Sequence, residues 1–546
     1  MIVTFIGEQR PVRALSGQTV MDAAIAAGLP IDGTCGGRGT CGRCRVRIIS
    51  GSVETADPNG LLTEKEKADG ICLACCTRIT GDMTAELLQN RQEMSHKDRG
   101  VSLPAWFIPE KAEGIGAAID IGTTTAAVML WDLETGASMG ASAFTNPQTS
   151  VGADVISRIN YIIAGGPDSA RADRLRDMQR MLVRGLNESI RSLAETAGGD
   201  LRDIRRITVC GNSTMSHIFT GTDPACLVTP PYKPAYRGSI LREASALGLS
   251  AAPGAQVYTA PGIAGHVGAD ITAGLLASDL PISGRKWLYI DIGTNGEIAA
   301  GNGERMICCS TAAGPAFEGW GISQGMRAAK GAIEKVKLGS SGAELGIIGE
   351  ESAPGDGPAG ICGSGIIDAA AEMLRTGIMD SSGRIRSEEE LLAVGVSPAL
   401  AGCADEDEEG RVSFLLYSGI GGEVAVTQKD IREIQLAKAS VAAGADTLLH
   451  RLAMSPEDLD EVCIAGAFGS YIDSVSARRI GLIPNVPAER IRVPGNLAGE
   501  GISMMLLSEQ AKKDADRIAE NTEHAELSED PYFQKKYIEE MNFQAT

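Results

Sequence analysis

The sequence predicts a multidomain α/β protein in which a small β-rich domain precedes a duplicated α/β fold. Three observations indicate this arrangement. The chain has 546 residues, too many for one ordinary hydrophobic core. From residue 115 onward, apolar strands alternate with helical stretches, which is typical of an α/β fold. One strand-and-turn pattern, D-x-G-T, occurs twice, about 170 residues apart, as expected for two like domains.

The composition indicates a globular protein and argues against two classes of partner. Hydrophobic residues make up 43% of the chain and charged residues 22%, which is ordinary for a soluble domain. A formal net charge of −20 disfavours non-specific binding to nucleic acid or to anionic membranes. No apolar run approaches the roughly 18 residues of a membrane span, and no signal peptide is visible. We therefore expect a cytoplasmic protein that binds neither nucleic acid nor membranes.

Residues 1–86 predict the β-rich domain. Thr19 suits the N-cap of a helix that runs to residue 27, and Gly28 suits its end. The other predicted elements are strands at residues 2–6, 10–15, 45–49 and 77–85. Strands around one helix, with a cysteine-bearing loop between them, have the layout of a β-grasp ferredoxin.

Four cysteines in this domain predict a [2Fe–2S] cluster. Cys35, Cys41, Cys44 and Cys75 form the pattern C-x5-C-x2-C-x30-C. Four thiolates can hold such a cluster, and the glycines among the first three allow the backbone to curl around it. In a cytosolic protein, a dense cysteine group is more often metal-binding than disulfide-bonded.

Two alternatives concern this metal site. A structural zinc ion usually needs two C-x2-C pairs, and here only Cys41 and Cys44 form one. The fourth ligand could also be Cys72 or Cys76, although the Leu-Ala-Cys-x-Thr wording favours Cys75.

Both copies of the repeated pattern have the form of phosphate-binding hairpins. In each copy an aspartate ends an apolar strand, and a glycine allows a tight turn that presents N–H and hydroxyl groups to phosphate. We expect Asp120 and Asp291 to orient a hydrated Mg2+ together with ATP. The predicted nucleotide-binding residues in these hairpins are Asp120, Gly122, Thr123, Thr124, Asp291, Gly293, Thr294 and Asn295.

Later glycine turns complete the nucleotide-binding pattern. Gly466 and Gly469 follow an apolar strand and suit close approach by adenosine, and Gly363 lies in a similar turn. Each turn alone is more often an ordinary loop. The order of the motifs, however, resembles the superfamily of acetate and sugar kinases, Hsp70 and actin.

That resemblance implies an acidic residue that positions the attacking water. Asp270, in the stretch before the second hairpin, is the first candidate, and Asp154 is the second. The alternative for both is a helix N-cap.

A ferredoxin domain joined to this ATPase resembles the reductive activators of corrinoid proteins. The stretches that carry the resemblance are N-P-Q at 146–148, G-A-D-V-I-S-R at 152–158, G-N-S-T-M at 211–215, G-P-A-F-E-G at 314–319 and Q-K-D-I-R at 428–432. The resemblance implies that ATP-driven conformational change helps to return an inactive Co(II) corrinoid to Co(I) for methyl transfer. It also implies three partners: an electron donor, a second copy of the chain in a homodimer, and a corrinoid protein. The corrinoid protein would be either a methyltransferase subunit or a corrinoid iron–sulfur protein.

The domain boundaries follow from these assignments. Residues 87–113 are polar, without a clear apolar period, and predict a flexible linker that lets the cluster swing. The ATPase domain then occupies 114–546. Some relatives carry a separate middle domain before the ATPase. Because so few residues separate the ferredoxin from Asp120, we expect that domain to be absent or absorbed.

Three other functions remain as alternatives. Activators of radical dehydratases also join an ATPase to iron–sulfur chemistry, but they bridge a [4Fe–4S] cluster between subunits and lack a ferredoxin domain. A redox- and nucleotide-regulated binding module would use the same domains without electron delivery. A metabolite kinase would need a substrate pocket, and no motif marks one.

Overall fold

The computed structural model describes residues 1–7, 11–29, 31, 37, 39, 42, 44–88, 101–164, 168–293, 295–314, 316–349, 357–419, 422–469 and 471–543. The chain divides into two units. The N-terminal unit comprises Met1–Ala277 and Ala498–Ala519, and the C-terminal unit comprises Ser278–Leu497 and Glu520–Thr546. Within the described ranges, no helix is both long and apolar enough to cross a membrane.

The first 88 residues form a five-stranded mixed sheet with strand order β2-β1-β5-β3-β4. Its elements are β1 (Ile2–Phe5), β2 (Val12–Arg13), α1 (Val20–Ala26), β3 (Arg45–Thr55), α2 (Glu64–Ala68), β4 (Ile71–Leu73) and β5 (Thr77–Leu87). Thr19 caps α1 as expected: its hydroxyl accepts from Asp22 N, and Asp22 accepts from Thr19 N, each at 3.0 Å. This reciprocal capping box satisfies two free N–H groups at the start of the helix.

A six-stranded sheet follows, with strand order β10-β11-β9-β6-β7-β8. The elements of this part are β6 (Ile115–Ile121), β7 (Thr125–Asp132), β8 (Ser138–Thr145), α3 (Val155–Ile163), α4 (Asp168–Thr196), β9 (Ile204–Gly211), α5 (Ser213–Thr220), β10 (Ile240–Glu243), β11 (Gln256–Thr259) and α6 (Ala269–Ser278). β6, β7 and β8 pair antiparallel, while β9 lies parallel to β6 and β11 parallel to β9.

The C-terminal unit contains a second six-stranded sheet, β22-β21-β12-β13-β14-β23, and two three-stranded sheets, β16-β15-β17 and β18-β19-β20. The remaining elements are β12 (Trp287–Ile292), β13 (Gly296–Gly301), β14 (Met306–Thr311), β15 (Ala332–Gly339), β16 (Gly342–Ile347), β17 (Gly360–Ile361), α7 (Gly363–Arg375), α8 (Glu388–Ala393), α9 (Pro398–Ala401), β18 (Ala404–Glu406), β19 (Val412–Gly419), β20 (Gly422–Thr427), α10 (Gln428–Arg451), β21 (Glu461–Ala465), α11 (Gly466–Gly469), α12 (Ser474–Arg479), β22 (Ile491–Gly495), α13 (Leu497–Leu507), α14 (Glu509–Asn521), β23 (Thr522–His524) and α15 (Pro531–Glu539).

The two six-stranded sheets repeat one topology. The order β11-β9-β6-β7-β8 in the first corresponds, strand by strand, to β22-β21-β12-β13-β14 in the second. In each sheet an antiparallel meander begins at the strand that carries the D-x-G-T aspartate, and two parallel strands lie on its other side. The predicted duplicated α/β fold is therefore confirmed.

The cluster domain packs on the first of these sheets through helices. In the N-terminal unit α1 contacts α4, and one hydrophobic core extends from Val3 and Ile25 to Met178 and Val257. The described end of the predicted linker is also attached to this unit. Glu110 N donates to Leu507 O at 2.8 Å, and its carboxylate accepts from the Ser508 hydroxyl at 2.6 Å. Residues 89–100 of the linker lie outside the described residues.

The C-terminal tail packs on α10. The fully buried Lys438 ammonium donates to Asn542 O at 2.7 Å and forms an ion pair with Glu540 at 3.3 Å. Burial lowers the pKa of Lys438, and the ion pair with Glu540 opposes that effect. The Tyr532 hydroxyl donates to Asp446 on α10 at 3.0 Å. A buried lysine on α10 thus depends on the tail for its partners.

We expect a chain that ends at Glu529 to lose stability in its C-terminal unit. Removing the tail takes away both partners of the Lys438 ammonium and the packing of α15 on α10, a loss of up to about 3–5 kcal/mol. Thermal unfolding followed by circular dichroism should show a lower first transition. Lys438→Met in the shortened chain should recover part of the loss, since it removes the unpaired charge. An unchanged transition in the shortened chain would contradict this role of the tail.

Candidate nucleotide and cluster sites

The first phosphate hairpin is tightly built and held from two sides. A Cβ at Gly122 would overlap the carbonyl oxygen of Thr125, so the turn requires glycine. The Asn146 amide donates to Gly122 O at 2.9 Å, and the Asn212 amide donates to the Thr123 hydroxyl at 2.8 Å. These bonds fix the orientation of the turn before any ligand binds.

Arg158 ties three separate stretches to this hairpin. Its guanidinium is fully buried and donates to Thr123 O at 2.5 Å, Gly152 O at 3.0 Å and Gln148 Oε1 at 3.3 Å. The stretches at 146–148, 152–158 and 211–215, which carried the resemblance, therefore support one hairpin. No role was predicted for Arg158 or Asn212, and their only signal in the sequence was their presence in these stretches.

Asp120 and Asp270 lie near the same buried thiol. Cys210 Sγ donates to Asp120 Oδ1 at 3.7 Å. Burial, followed by the charges of Asp120 and Asp270, raises the pKa of the Cys210 thiol well above its ordinary value. The thiol therefore stays protonated beside the two carboxylates, both of which are half-buried. The structure thus brings together the first hairpin aspartate and the first candidate for positioning water.

The turn before α6 fixes Asp270 relative to the hairpin. Gly268 lies directly on the start of α5: an added Cβ would come within 2.7 Å of Gly211 O and Ser213 N. The Ser213 hydroxyl also donates to Ala264 O at 2.9 Å.

Asp154, the second candidate, occupies a helix-cap position. Its carboxylate accepts from the Ser157 N–H at 2.8 Å and from the Ser157 hydroxyl at 2.7 Å, at the N-terminus of α3. This is the alternative role named for it from the sequence, and its part in catalysis stays a prediction.

The second hairpin, in the C-terminal unit, meets the adenosine turn through a glycine. Gly293 N donates to Asn295 O at 2.9 Å, which closes the turn after Asp291; Thr294 lies outside the described residues. Gly466 has φ +91°, and a Cβ there would lie 2.5 Å from Asp291 Oδ1. The adenosine turn can approach this carboxylate only because residue 466 is glycine.

Two further positions lie near the second hairpin in the C-terminal unit. Gly363 begins α7 directly after β17, and Gly469 packs on Ile464 of β21. Glu297, for which no role was predicted from the sequence, is buried and directly opposite Asp291 in the β12–β13 pair. Opposed residues of an antiparallel pair project from the same face of the sheet. Glu297 thus places a second carboxylate beside Asp291.

The described cluster ligands fit a metal centre. Cys44 and Cys75 bring their sulfur atoms to 3.3 Å, close to the roughly 3.8 Å expected for two thiolates on one tetrahedral metal with bonds of about 2.3 Å. Cys76 is the stronger alternative for the fourth ligand, because its Sγ lies 3.6 Å from Cys75 Sγ. Cys72 is buried in β4. Cys35 and Cys41 lie outside the described residues.

Arg45 links Gly42, a described residue of the cluster loop, to the rest of the domain. Its guanidinium donates to Gly42 O in the loop and to Leu61 O at 3.1 Å, and it forms an ion pair with Glu66 of α2 at 2.8 Å. Such support fixes the ligands from behind, as outer contacts commonly do at metal sites.

Three family models match consecutive parts of the chain. The 2Fe-2S iron-sulfur cluster binding domain matches residues 3–80, the RACo middle region matches 115–283, and the C-terminal domain of RACo, the ASKHA domain, matches 285–546. The corrinoid activation enzyme RamQ of Eubacterium limosum is 38% identical over 439 residues, which cover 79% of this chain and 71% of that protein. The chain belongs to the family of reductive activators of corrinoid proteins.

Two further family members also match this chain over most of its length. The [Co(II) methylated amine-specific corrinoid protein] reductase of Methanosarcina barkeri is 26% identical, covering 78% of this chain and 77% of that one. A solved structure of a reductive activator for corrinoid, iron-sulfur protein superposes with a TM-score of 0.68 at 30% identity, covering 99% of this chain and 98% of that one.

The family match corrects one expectation. We expected the middle domain of some relatives to be absent or absorbed, because few residues precede Asp120. The middle-region model instead matches residues 115–283, the range of the first six-stranded sheet. The middle domain is thus not absent. Its sheet repeats the topology of the sheet in the ASKHA region, and for this reason its sequence was assigned to the ATPase domain.

We predict that Cys75→Ser abolishes the [2Fe–2S] absorption spectrum of the purified protein. Serine cannot supply the thiolate that approaches Cys44, and the cluster needs four ligands. Cys72→Ser is the matched control and should keep the spectrum, because Cys72 lies within β4. An unchanged spectrum in the Cys75 variant, or its loss in the Cys72 variant, would reassign the fourth ligand.

We also predict that Gly466→Ala weakens ATP binding about tenfold or more, equivalent to roughly 1.4 kcal/mol. The new methyl group must push aside the Asp291 carboxylate, in addition to the strain of a positive φ. Gly395→Ala is the control, since Gly395 has a similar φ of +84° but open space around it. Titration with a fluorescent ATP analogue should leave the Gly395 variant close to wild type. Equal affinities in the two variants would contradict the role of this contact.

Proposed function

We propose that this chain is an ATP-dependent reductase that returns an inactive Co(II) corrinoid protein to the Co(I) state. The observation that carries this proposal is one chain that joins a ferredoxin-type cluster domain to a duplicated phosphate-hairpin fold and belongs to the corrinoid activator family. The partner is either a methyltransferase corrinoid subunit or a corrinoid iron–sulfur protein. An external electron donor, a cytoplasmic location and a homodimer complete the proposal.

Electron transfer from the cluster to an acceptor of lower potential is energetically unfavourable. When bound, a [2Fe–2S] cluster is a one-electron carrier, and plant-type clusters work near −400 mV. Each ~59 mV of mismatch with the acceptor changes the equilibrium constant tenfold. The proposed thiolates are Cys35, Cys41, Cys44 and Cys75, and Arg45 holds their loop in place. An acceptor of lower potential needs a second source of free energy.

The hairpin residues are proposed to supply that free energy through nucleotide turnover. MgATP, when bound, provides the phosphoryl group that is transferred to water. Thr123 and Thr124 offer hydroxyl donors to phosphate. The carboxylate of each hairpin aspartate, Asp120 in one unit and Asp291 in the other, is an oxygen ligand of the kind that Mg2+ prefers. Asp270 is proposed to accept the proton of the attacking water. The nucleotide bound to the protein can determine which state of the electron acceptor the protein binds more tightly. Such a difference in affinity shifts the equilibrium between the acceptor's states.

Asp270→Asn should abolish ATP hydrolysis while sparing ATP binding, because an amide cannot accept the proton. Asp154→Asn should retain most of the hydrolysis rate, because asparagine also caps helices well. Hydrolysis measured by phosphate release, beside affinity for a fluorescent nucleotide, separates the two effects. Full turnover in the Asp270 variant would remove this residue from the mechanism.

The proposed function is tested directly by the appearance of Co(I). Protein with a reduced cluster, mixed with a purified Co(II) corrinoid protein under anaerobic conditions, should produce the Co(I) absorbance band when ATP is added. Without ATP the band should be much weaker. Hydrolysis and nucleotide-dependent association without any Co(I) would instead favour a redox- and nucleotide-regulated binding module.

A further inference from the structure

A turn in the cluster domain contacts the described residues at the centre of the cluster loop. The cluster loop spans residues 35–44, and the turn, residues 57–62, lies between β3 and α2. The Asp57 carboxylate closes the turn, because it accepts from Leu61 N at 2.9 Å and from Leu62 N at 3.1 Å. These bonds give the turn a defined shape of its own, on which the loop can rest.

Gly39 of the cluster loop is held by this turn and also meets a cysteine. Asn59 Nδ2 donates to Gly39 O at 2.9 Å. A Cβ at Gly39 would lie 3.6 Å from Pro58 Cγ and only 2.7 Å from Cys76 Sγ. Because Gly39 also has φ +70°, this close contact requires glycine. The loop backbone is thus confined by the turn and by the residue that follows the proposed ligand Cys75.

Gly42 contacts the same turn. A Cβ there would lie 3.3 Å from Leu61 Cβ, and Gly42 has φ +65°. The Arg45 guanidinium donates both to Gly42 O and to Leu61 O, the latter at 3.1 Å, and so joins the loop to the turn. In the sequence Gly39 and Gly42 lie two residues before and one residue after the proposed ligand Cys41. The described residues on either side of this ligand therefore both bond to side chains of the domain.

We propose that residues 57–62 form a clamp on the cluster loop, in which Asn59 and Arg45 are positioning residues for the ligand Cys41. They act on this ligand through the carbonyl oxygens of the two glycines beside it. The inference rests on the proposed function, which includes Cys41 as a ligand; the 2Fe-2S domain model covers the loop and the turn. Outer contacts that orient a metal ligand commonly change metal affinity by about 10–100-fold when they are removed. The charge and solvent exposure around an iron–sulfur cluster also set its reduction potential.

The clamp is tested by the rate at which the full-length protein, loaded with its cluster, loses visible absorbance to an excess of iron chelator. Asn59→Asp has the same shape but cannot donate to Gly39 O, so loss should be about tenfold faster. The electron paramagnetic resonance signal of the reduced cluster should also change, because the ligand is displaced. Asn59→Gln keeps an amide donor at an exposed position and should resemble wild type. Ser52→Ala, which removes an exposed hydrogen bond to Thr80 in the same domain, is the matched control and should also resemble wild type.

Two variants of Arg45 separate its charge from its bonds. Arg45→Met removes both, so it should speed cluster loss and lower the reduction potential, since a nearby cation favours the added electron. Arg45→Lys keeps the charge but lacks the planar fork that bonds Gly42 O and Leu61 O together. It should speed cluster loss with a smaller change in potential, measured by spectroelectrochemical titration. Cluster loss at the wild-type rate in Arg45→Lys would contradict the bridging role.

The outcomes separate this inference from the function on which it rests. Wild-type protein that binds no [2Fe–2S] cluster contradicts the proposed function. If wild type holds the cluster but Asn59→Asp and Ser52→Ala lose it at the same rate, the clamp is overturned and the function stands. Equally fast loss in Asn59→Gln and Asn59→Asp would also overturn it, because the amide donor would then make no difference.

Discussion

The packing of α4 is the constraint on which the N-terminal unit depends. Its buried positions include Leu175, Met178, Leu182, Leu186 and Ile190, spaced to form one apolar stripe along a long helix. That stripe contacts β7, β8 and α5, and the same helix contacts α1 of the cluster domain. One helix therefore joins the cluster domain to the sheet that carries the first phosphate hairpin. The two share a single hydrophobic core.

In each unit, a glycine near a strand end allows the backbone to lie close to an oxygen atom of a neighbouring residue. Gly122 allows the hairpin turn of the first sheet, and Gly466 allows the adenosine turn to lie against Asp291 in the second. In both places a side chain would overlap a carbonyl or carboxylate oxygen. The chemistry offered at these strand ends is similar, and the first hairpin is held by a buried arginine, Arg158. The second instead has Glu297 beside its aspartate.

Local signals allowed much of this to be predicted. Three features are formed by residues at a recognisable spacing in the sequence: the helix cap at Thr19, the two D-x-G-T turns, and the approach of Cys44 to Cys75. The support of the hairpin by Arg158 and Asn212 could not be predicted, because its members come from distant stretches. An apolar helix face does not indicate which element will pack against it. The packing of α1 on α4 therefore could not be predicted from the sequence. The predicted mobile linker rested on polar composition alone, and its described end at Glu110 is hydrogen-bonded to the N-terminal unit.

Nitrogen-15 relaxation of backbone amides can show whether the cluster domain and the first sheet move as one body. The amides of α1 (Val20–Ala26) can be compared with those of β6 and β9 in the full-length protein. Because α1 packs on α4 within one hydrophobic core, we expect all three elements to tumble with one rotational correlation time. A clearly shorter correlation time for α1, as expected of a domain that moves independently, would contradict it.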